Sequence, residues 1–268
     1  MKIGLCLNMI AKGPDGTGRE WIPYLCDMEI DYAEIAVAQV MALDESEFRK
    51  TILIPLRQTG LPCLCCNNFF PATHRLTGNE ADHPSAIAYA RFALDRAAEL
   101  GAEHIVFGSS GARNRPNGVT REAALFRLSE LLHMLGDLAR ERGITIVLES
   151  LNRLESNVMN NIMETYGLMR RVSHPNVRML VDAYHTWMAG DTADDVQALG
   201  TDVRHVHVAH TLGRGLPSPG DDEPWQDLFN ALQHNGYQGG VSIESIVVGN
   251  DIVDQIRGAA LFLRSFIR

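Results

Sequence analysis

The chain has 268 residues, of which 46% are hydrophobic and 21% charged, and its formal net charge is −9. This length suits one eight-fold α/β barrel, and the apolar content excludes a disordered chain. The acidic balance argues against nucleic acid as a partner, and no apolar run approaches the roughly 20 residues of a membrane span.

Strand-like and helix-like runs alternate throughout, the pattern of repeated βα units around a parallel sheet. Strand 2–8 is followed by a Gly-rich loop at 12–18 and a helix over 19–27. Strand 31–37 precedes a helix over 44–59 that must kink or break at Pro55. Strand 61–66 runs into a long polar loop, 67–82, of the kind that often carries function. A helix over 84–100 stops at Gly101, strand 104–108 follows, and a second loop covers 109–118. The longest helix spans 120–142, then strand 144–149 and a helix over 159–172. Strand 177–182 pairs with a helix over 192–198, strand 203–208 with 225–235, and strand 241–244 with 252–266.

This pattern predicts a single (β/α)8 TIM barrel of the α/β class, one domain over 1–268. A doubly wound sheet is the rival, disfavoured because the first turn lacks a Gly-x-Gly-x-x-Gly fingerprint. Gly13-Pro14-Asp15-Gly16-Thr17-Gly18 is no P-loop, since Pro14 intrudes and the Lys-Ser/Thr pair is missing. Met1-Lys2-Ile3-Gly4-Leu5 enters a strand directly, without signal-peptide architecture. Cys63, Cys65 and Cys66 have no Cys/His pair elsewhere to complete a zinc site, so buried reduced thiols in a cytoplasmic protein are expected.

Four polar residues end four of the late strands: Glu149, Asp182, His207 and Glu244. Side chains alternate faces along a strand, so Val147 and Glu149 point inward together, as do Leu180 and Asp182, His205 and His207, and Ser242 and Glu244. Strand ends of a parallel barrel converge on one mouth, so these four would meet as a site for one divalent ion. Three carboxylates and an imidazole suit Mn²⁺ or Mg²⁺, and zinc less well in the absence of Cys. His205, one layer deeper, reads as a packed core histidine, whereas His210 lies just past the strand, where it would contact a substrate. Asn67 and Asn68 line the mouth or serve a turn. Trp187 covers a sugar ring or packs its helix. Arg113 and Arg115 receive a phosphate or sit in a solvated loop.

The segments Glu149-Ser-Leu-Asn152-Arg153-Leu-Glu155, Asp182-Ala-Tyr-His185, His205-Val-His207, Gly213-Arg214-Gly215 and Ser242-Ile-Glu244 resemble the xylose-isomerase-like sugar isomerase/epimerase superfamily, nearest its ketose 3-epimerase branch. The likeness covers most of the chain and is strongest from Glu149 to Glu244. It implies that Glu149, Asp182, His207 and Glu244 bind the metal, usually manganese, with magnesium or cobalt also accepted. Glu149 and Glu244 match its catalytic acid/base pair, and Glu155, His185 and Arg214 match positions that hold substrate oxygens. A small sugar or keto-polyol substrate and a homodimer or homotetramer are also implied.

The expected reaction is isomerisation or epimerisation of a ketose or related keto-polyol, with Glu-mediated proton transfer through an enediolate. A metal-dependent dehydratase of a keto-inositol or dehydroshikimate-like acid begins with the same proton abstraction. An endonuclease IV-like nuclease needs a three-metal cluster with further His ligands after the third and fourth strands. Those strands end here in Cys66-Asn67-Asn68 and Phe107-Gly108-Ser109. A non-catalytic sugar binder is disfavoured by the complete acid/base pair. Ser150 and the loop 211–219 depart from the 3-epimerase pattern, which bears on the substrate rather than the metal. Hydroxypyruvate isomerases usually carry Gln where this chain has His207.

Overall fold

The computed structural model describes residues 1–267. Eight parallel strands close a barrel in sequence order: β1 Lys2–Cys6, β2 Tyr32–Ala36, β3 Cys63–Asn67, β4 His104–Phe107, β5 Thr145–Glu149, β6 Val177–Asp182, β7 Val203–Val208 and β8 Gly240–Ile243. Closure is made by β1 on β8, with Gly4 opposite Ser242. Helices surround the sheet, and the predicted barrel is the fold.

The strands are buried on both faces, so most read as continuous apolar runs. The larger core lies between sheet and helices, and a second, smaller cluster of Cys65, Val106, Val147 and Leu180 fills part of the barrel interior. The rest of the interior is polar. Tyr32, fully buried, occupies space left by two glycines: a Cβ on Gly4 would stand 2.2 Å from its ring and one on Gly240 2.5 Å from its hydroxyl. Any side chain at either position would push Tyr32 out of the barrel.

Helix starts follow the side chains that cap them. Asp82 accepts from Ser85 N at 3.0 Å, Thr120 from Ala123 N at 3.2 Å and Asn161 from Glu164 N at 2.8 Å, satisfying amides a first turn leaves free. These caps open the helices His83–Leu100, Arg121–Arg140 and Ile162–Val172.

Several expected elements differ. The 44–59 helix changes type ahead of Pro55: α over Glu45–Phe48, π over Arg49–Leu53 and α again over Ile54–Thr59, with Pro55 in the first turn of that last segment. The 19–27 helix is wound as 3-10 turns over Arg19–Met28, with Pro23 inside. The third strand starts and ends later than expected, at Cys63–Asn67, because Pro62 precedes it and its carbonyl accepts from Ala33 N. Short helices at Ser110–Arg113 and Ala183–Ala189 occupy stretches expected as loops. Among the described residues no helix is long and apolar enough to cross a membrane.

Candidate active site

Glu149 is the last residue of β5, Asp182 the last of β6, and His207 the penultimate residue of β7, while Glu244 follows β8 directly. Asp182 stands opposite His207 in the ladder, and His207 opposite Ser242. The four side chains are buried, and each offers a ligand atom within 4.8 Å of the others. His207 Nδ1 lies 3.3 Å from Glu149 Oε1 and 3.2 Å from Glu244 Oε2. A lone-pair nitrogen between two carboxylates is tolerable only with a cation among them, so this donor set is built around a positive charge.

Without an ion, protons and Arg214 play that part. Arg214 Nη2 donates to Glu244 Oε2 and lies 3.5 Å from Asp182 Oδ2. Its Nε donates to the Glu244 carbonyl at 3.2 Å, and the guanidinium sits 5.0 Å from the Tyr184 ring centre. Burial would raise the Glu244 carboxyl, but Arg214 and His207 outweigh it and hold the group at about 2. Burial wins at Asp182, which rises to about 8 against the pull of Arg214, helped by Glu244 and Glu149. Burial also opposes charge on His207, yet Glu34 and Glu244 overcome it and keep the imidazolium well above its ordinary range. Asp182 and Glu244, although neighbours, are thus pushed in opposite directions by burial and by Arg214.

His185, one turn into the helix that Asp182 caps, is almost fully buried. Its Nδ1 accepts from the Asn152 side-chain amide at 2.9 Å and backbone amide at 3.2 Å. The proton therefore sits on Nε2. That nitrogen has no hydrogen-bond partner among the described residues and lies 3.7 Å from Asp182 Oδ2 and 3.9 Å from Glu155 Oε2. Burial pushes the ring down to about 3, so it stays neutral and presents one free donor. Glu155 is partly exposed, with Oε1 3.7 Å from Arg214 Nη1. All seven site residues expected from the sequence thus gather at one mouth.

Other expectations divide. His205 is a buried core histidine, bonded at 2.7 Å to Glu34 and 3.2 Å to Ser242. Trp187 packs edge-on against Trp225 at 4.7 Å, so helix packing accounts for it. His210 organises its own loop, Nδ1 accepting from Leu212 N at 2.9 Å. Asn67 Nδ2 donates to Asn8 at 3.0 Å, and Asn68 takes a left-handed backbone with φ 51°. Arg115 ties loops together through Asn157 and the Val119 carbonyl.

Both readings of Arg113 are wrong. It is fully buried, and its Nη1 donates to the Phe107 carbonyl at 3.0 Å and the Glu149 carbonyl at 2.7 Å. Its charge is spent inside, fastening the ends of β4 and β5, and burial lowers it to about 10. The short helix Ser110–Arg113 turns the side chain inward, which no loop pattern reveals.

Sequence reasoning also missed Glu34 and Gly108. Glu34 sits wholly buried on β2, 2.9 Å from His207 Nε2. A charged residue within Tyr32-Ala33-Glu34-Ile35-Ala36 was the available signal. At Gly108, a Cβ would stand 1.8 Å from Glu149 Oε2, so the carboxylate occupies the volume glycine leaves free.

The chain is 32% identical over 148 residues to the L-ribulose 3-epimerase of Methylomonas sp. (strain DH-1), covering 55% of this chain and 47% of that one. It is 30% identical over 129 residues to the D-psicose 3-epimerase of Agrobacterium fabrum, covering 46% and 44%. The matched stretches thus span a little under half the length of these relatives. In structure it superposes on a D-psicose 3-epimerase from Clostridium cellulolyticum H10, solved with D-tagatose, at a TM-score of 0.85 with 20% identity and 100% coverage of both chains. It also superposes on a 3-keto-D-glucoside 4-epimerase from E. coli at 0.83 with 21% identity, covering 99% of each. At such identity the structural likeness is one of fold. Residues 24–266 match the family described as xylose isomerase-like TIM barrel, and the chain belongs to that family.

Proposed function

We propose that the chain is a divalent-metal-dependent isomerase or epimerase of a ketose or related keto-polyol, working as a single domain. The observation that carries this reading is the set of four buried donor groups within 4.8 Å, two of them glutamates on β5 and after β8. The relatives, named as sugar 3-epimerases, support the substrate class. Glu149, Asp182, His207 and Glu244 would hold the ion, with Mn²⁺ favoured by the oxygen-rich set, Mg²⁺ and Co²⁺ acceptable and Zn²⁺ less suited. When bound, such an ion withdraws electron density from adjacent sugar oxygens and so acidifies the neighbouring C–H.

The chain's own residues do the rest. One glutamate removes the proton next to the carbonyl. Its return by the same residue to the neighbouring carbon gives isomerisation, and delivery by the other from the opposite face gives epimerisation. His185 Nε2–H is a fixed, neutral, unpaired donor for the oxygen on which charge develops. Arg214 and Glu155 hold further hydroxyls, and Arg214 must loosen its bond to Glu244 for that carboxylate to act. A hollow of about 460 Å³, lined by Gln39, Asn68, Phe70, Ser109 and Ser110 among others, opens one residue beyond Gly108 and leaves room for the remote end of a substrate. A cytoplasmic setting belongs to this reading, supported by five free cysteines, of which only Cys26 is exposed.

The test is proton exchange. The Mn²⁺-loaded protein is incubated in D₂O with ketoses, keto-inositols and their phosphates, and the mixtures are read by NMR after the metal is removed. Deuterium is expected at the carbon beside the carbonyl, with loss of that exchange in Glu244→Gln. A product short of one water would make the enzyme a dehydratase, and full exchange in both Glu149→Gln and Glu244→Gln would sink the assignment.

A further inference from the structure

Beneath the candidate metal site lies a second polar system to which the proposed chemistry assigns nothing. Glu34 projects from β2 into the barrel with no solvent exposure, in register with Cys6 on one side and Cys65 on the other. Its two oxygens are shared among three donors. Oε1 lies 2.9 Å from His207 Nε2, and Oε2 lies 2.7 Å from His205 Nε2 and 2.6 Å from Ser242 Oγ. Tyr32 hydroxyl stands 2.7 Å from the same Ser242 Oγ and extends the chain downward.

An ionised carboxylate only accepts hydrogen bonds, so each of these three neighbours turns a proton toward it. For His207 this settles the ring: Nε2 carries hydrogen, and Nδ1, on the far edge, faces Glu149 and Glu244. His205 follows the same rule, since its Nδ1 has no partner among the described residues while Nε2 is held. A barrel interior is ordinarily filled by branched aliphatic side chains, and aliphatics at these positions would avoid burying a charge. The arrangement achieves something they cannot, which is to fix one tautomer and one orientation of a ring.

We infer that Glu34 is a positioning residue for the metal site: it holds His207 by Nε2 so that Nδ1 is the ligand nitrogen, with His205, Ser242 and Tyr32 holding Glu34 in turn. The inference rests on the reading of Glu149, Asp182, His207 and Glu244 as the metal site. A carboxylate behind a ligating imidazole also makes the ring a stronger donor, and loss of such a partner typically weakens metal binding by about 10–100-fold. Glutamine at position 34 keeps the size, but with its single oxygen held by His205 and Ser242 its amide NH2 faces His207 Nε2 and drives that ring's proton onto Nδ1. Glu34→Gln is therefore the informative substitution.

The experiment is Mn²⁺ titration by calorimetry of the wild type, Glu34→Gln and Glu34→Asp, alongside thermal unfolding of each in the ion-free state. The expected result is a Kd raised by about 10–100-fold in Glu34→Gln, measured well below its unfolding midpoint, with part of the affinity restored in Glu34→Asp. A purely structural role would lower the midpoint and leave the Kd alone. A Kd in Glu34→Gln within about twofold of wild type overturns the inference and spares the site reading. A wild type that binds no divalent ion overturns both. Should the variants fail to fold, long-range ¹H–¹⁵N NMR of the wild type loaded with Mg²⁺ decides. A His207 ring protonated at Nε2 and bare at Nδ1 supports the inference, and the reverse defeats it.

Discussion

Strands β5 to β8 bring Glu149, Asp182, His207 and Glu244 to the barrel mouth, whereas β2 and β4 bring Glu34 and the glycine that follows, Gly108. The β5–β8 half supplies groups whose chemistry shows in their side chains. The β1–β4 half supplies groups whose effect is on another residue's position: Glu34 on His207, Gly108 on Glu149, and Arg113 on the end of β5. The chemistry sits in one half of the ring, and much of its support comes from the other. Substitutions in the two halves should therefore fail in different ways.

The largest effect is expected from the proposed acid/base pair. Glu149→Gln should lower kcat by about 10²–10⁴-fold, as removal of a general acid or base does, measured in steady state with saturating Mn²⁺. Next comes His185→Phe, which removes the unpaired donor. A fall in kcat of about 10²–10³-fold is expected, with Mn²⁺ affinity unchanged in calorimetry. In the supporting half, Gly108→Ala places a methyl group where Glu149 Oε2 now lies. It should weaken both Mn²⁺ binding and turnover, the latter by about 10²-fold for a displacement near 1 Å. If Gly108→Ala loses turnover but binds Mn²⁺ as the wild type does, the division between the halves fails.

Arg113→Met sharpens the contrast further, because the Arg113 side chain hydrogen-bonds only to backbone carbonyls. It leaves the Phe107 and Glu149 carbonyls without their donor and should cost about 1–3 kcal/mol of stability, read by urea unfolding of the ion-free protein.

The smallest effect is on pH. Asp182, raised by burial to about 8, binds a proton in the folded chain that the unfolded chain has released by about pH 4. Stability of the ion-free protein therefore falls as pH rises from about 4 to 8. His207, also raised, acts in the same direction, its contribution complete below about 6.5 and lost above as the folded ring titrates. An ion must displace these protons, so Mn²⁺ affinity should rise by about tenfold per pH unit for each proton displaced. Unfolding midpoints with and without Mn²⁺ at pH 6, 7 and 8 would test both signs.

The amino-acid sequence by itself determined the alternation of strand and helix, and hence the barrel. A strand buried on both faces and a capped amphipathic helix are local patterns of composition and period. It also exposed the four strand-end residues, because a charged or imidazole group closing an apolar run is visible without knowing its neighbours. His185, Glu155 and Arg214 became legible only through resemblance, since nothing in their own spacing distinguishes them from surface residues. Tertiary structure alone decided the rest. Glu34 belongs to β2 and His207 to β7, 173 residues apart, and only closure of the barrel sets them 2.9 Å apart. Arg113 looked like a loop cation until a single helical turn carried it into the core. The glycine at 108 has no distinctive local pattern; its necessity comes from a carboxylate on the adjacent strand. Local periodicity specifies which face a residue presents, but contacts across a closed barrel depend on strand order, stagger and the volumes of partners far away in the chain.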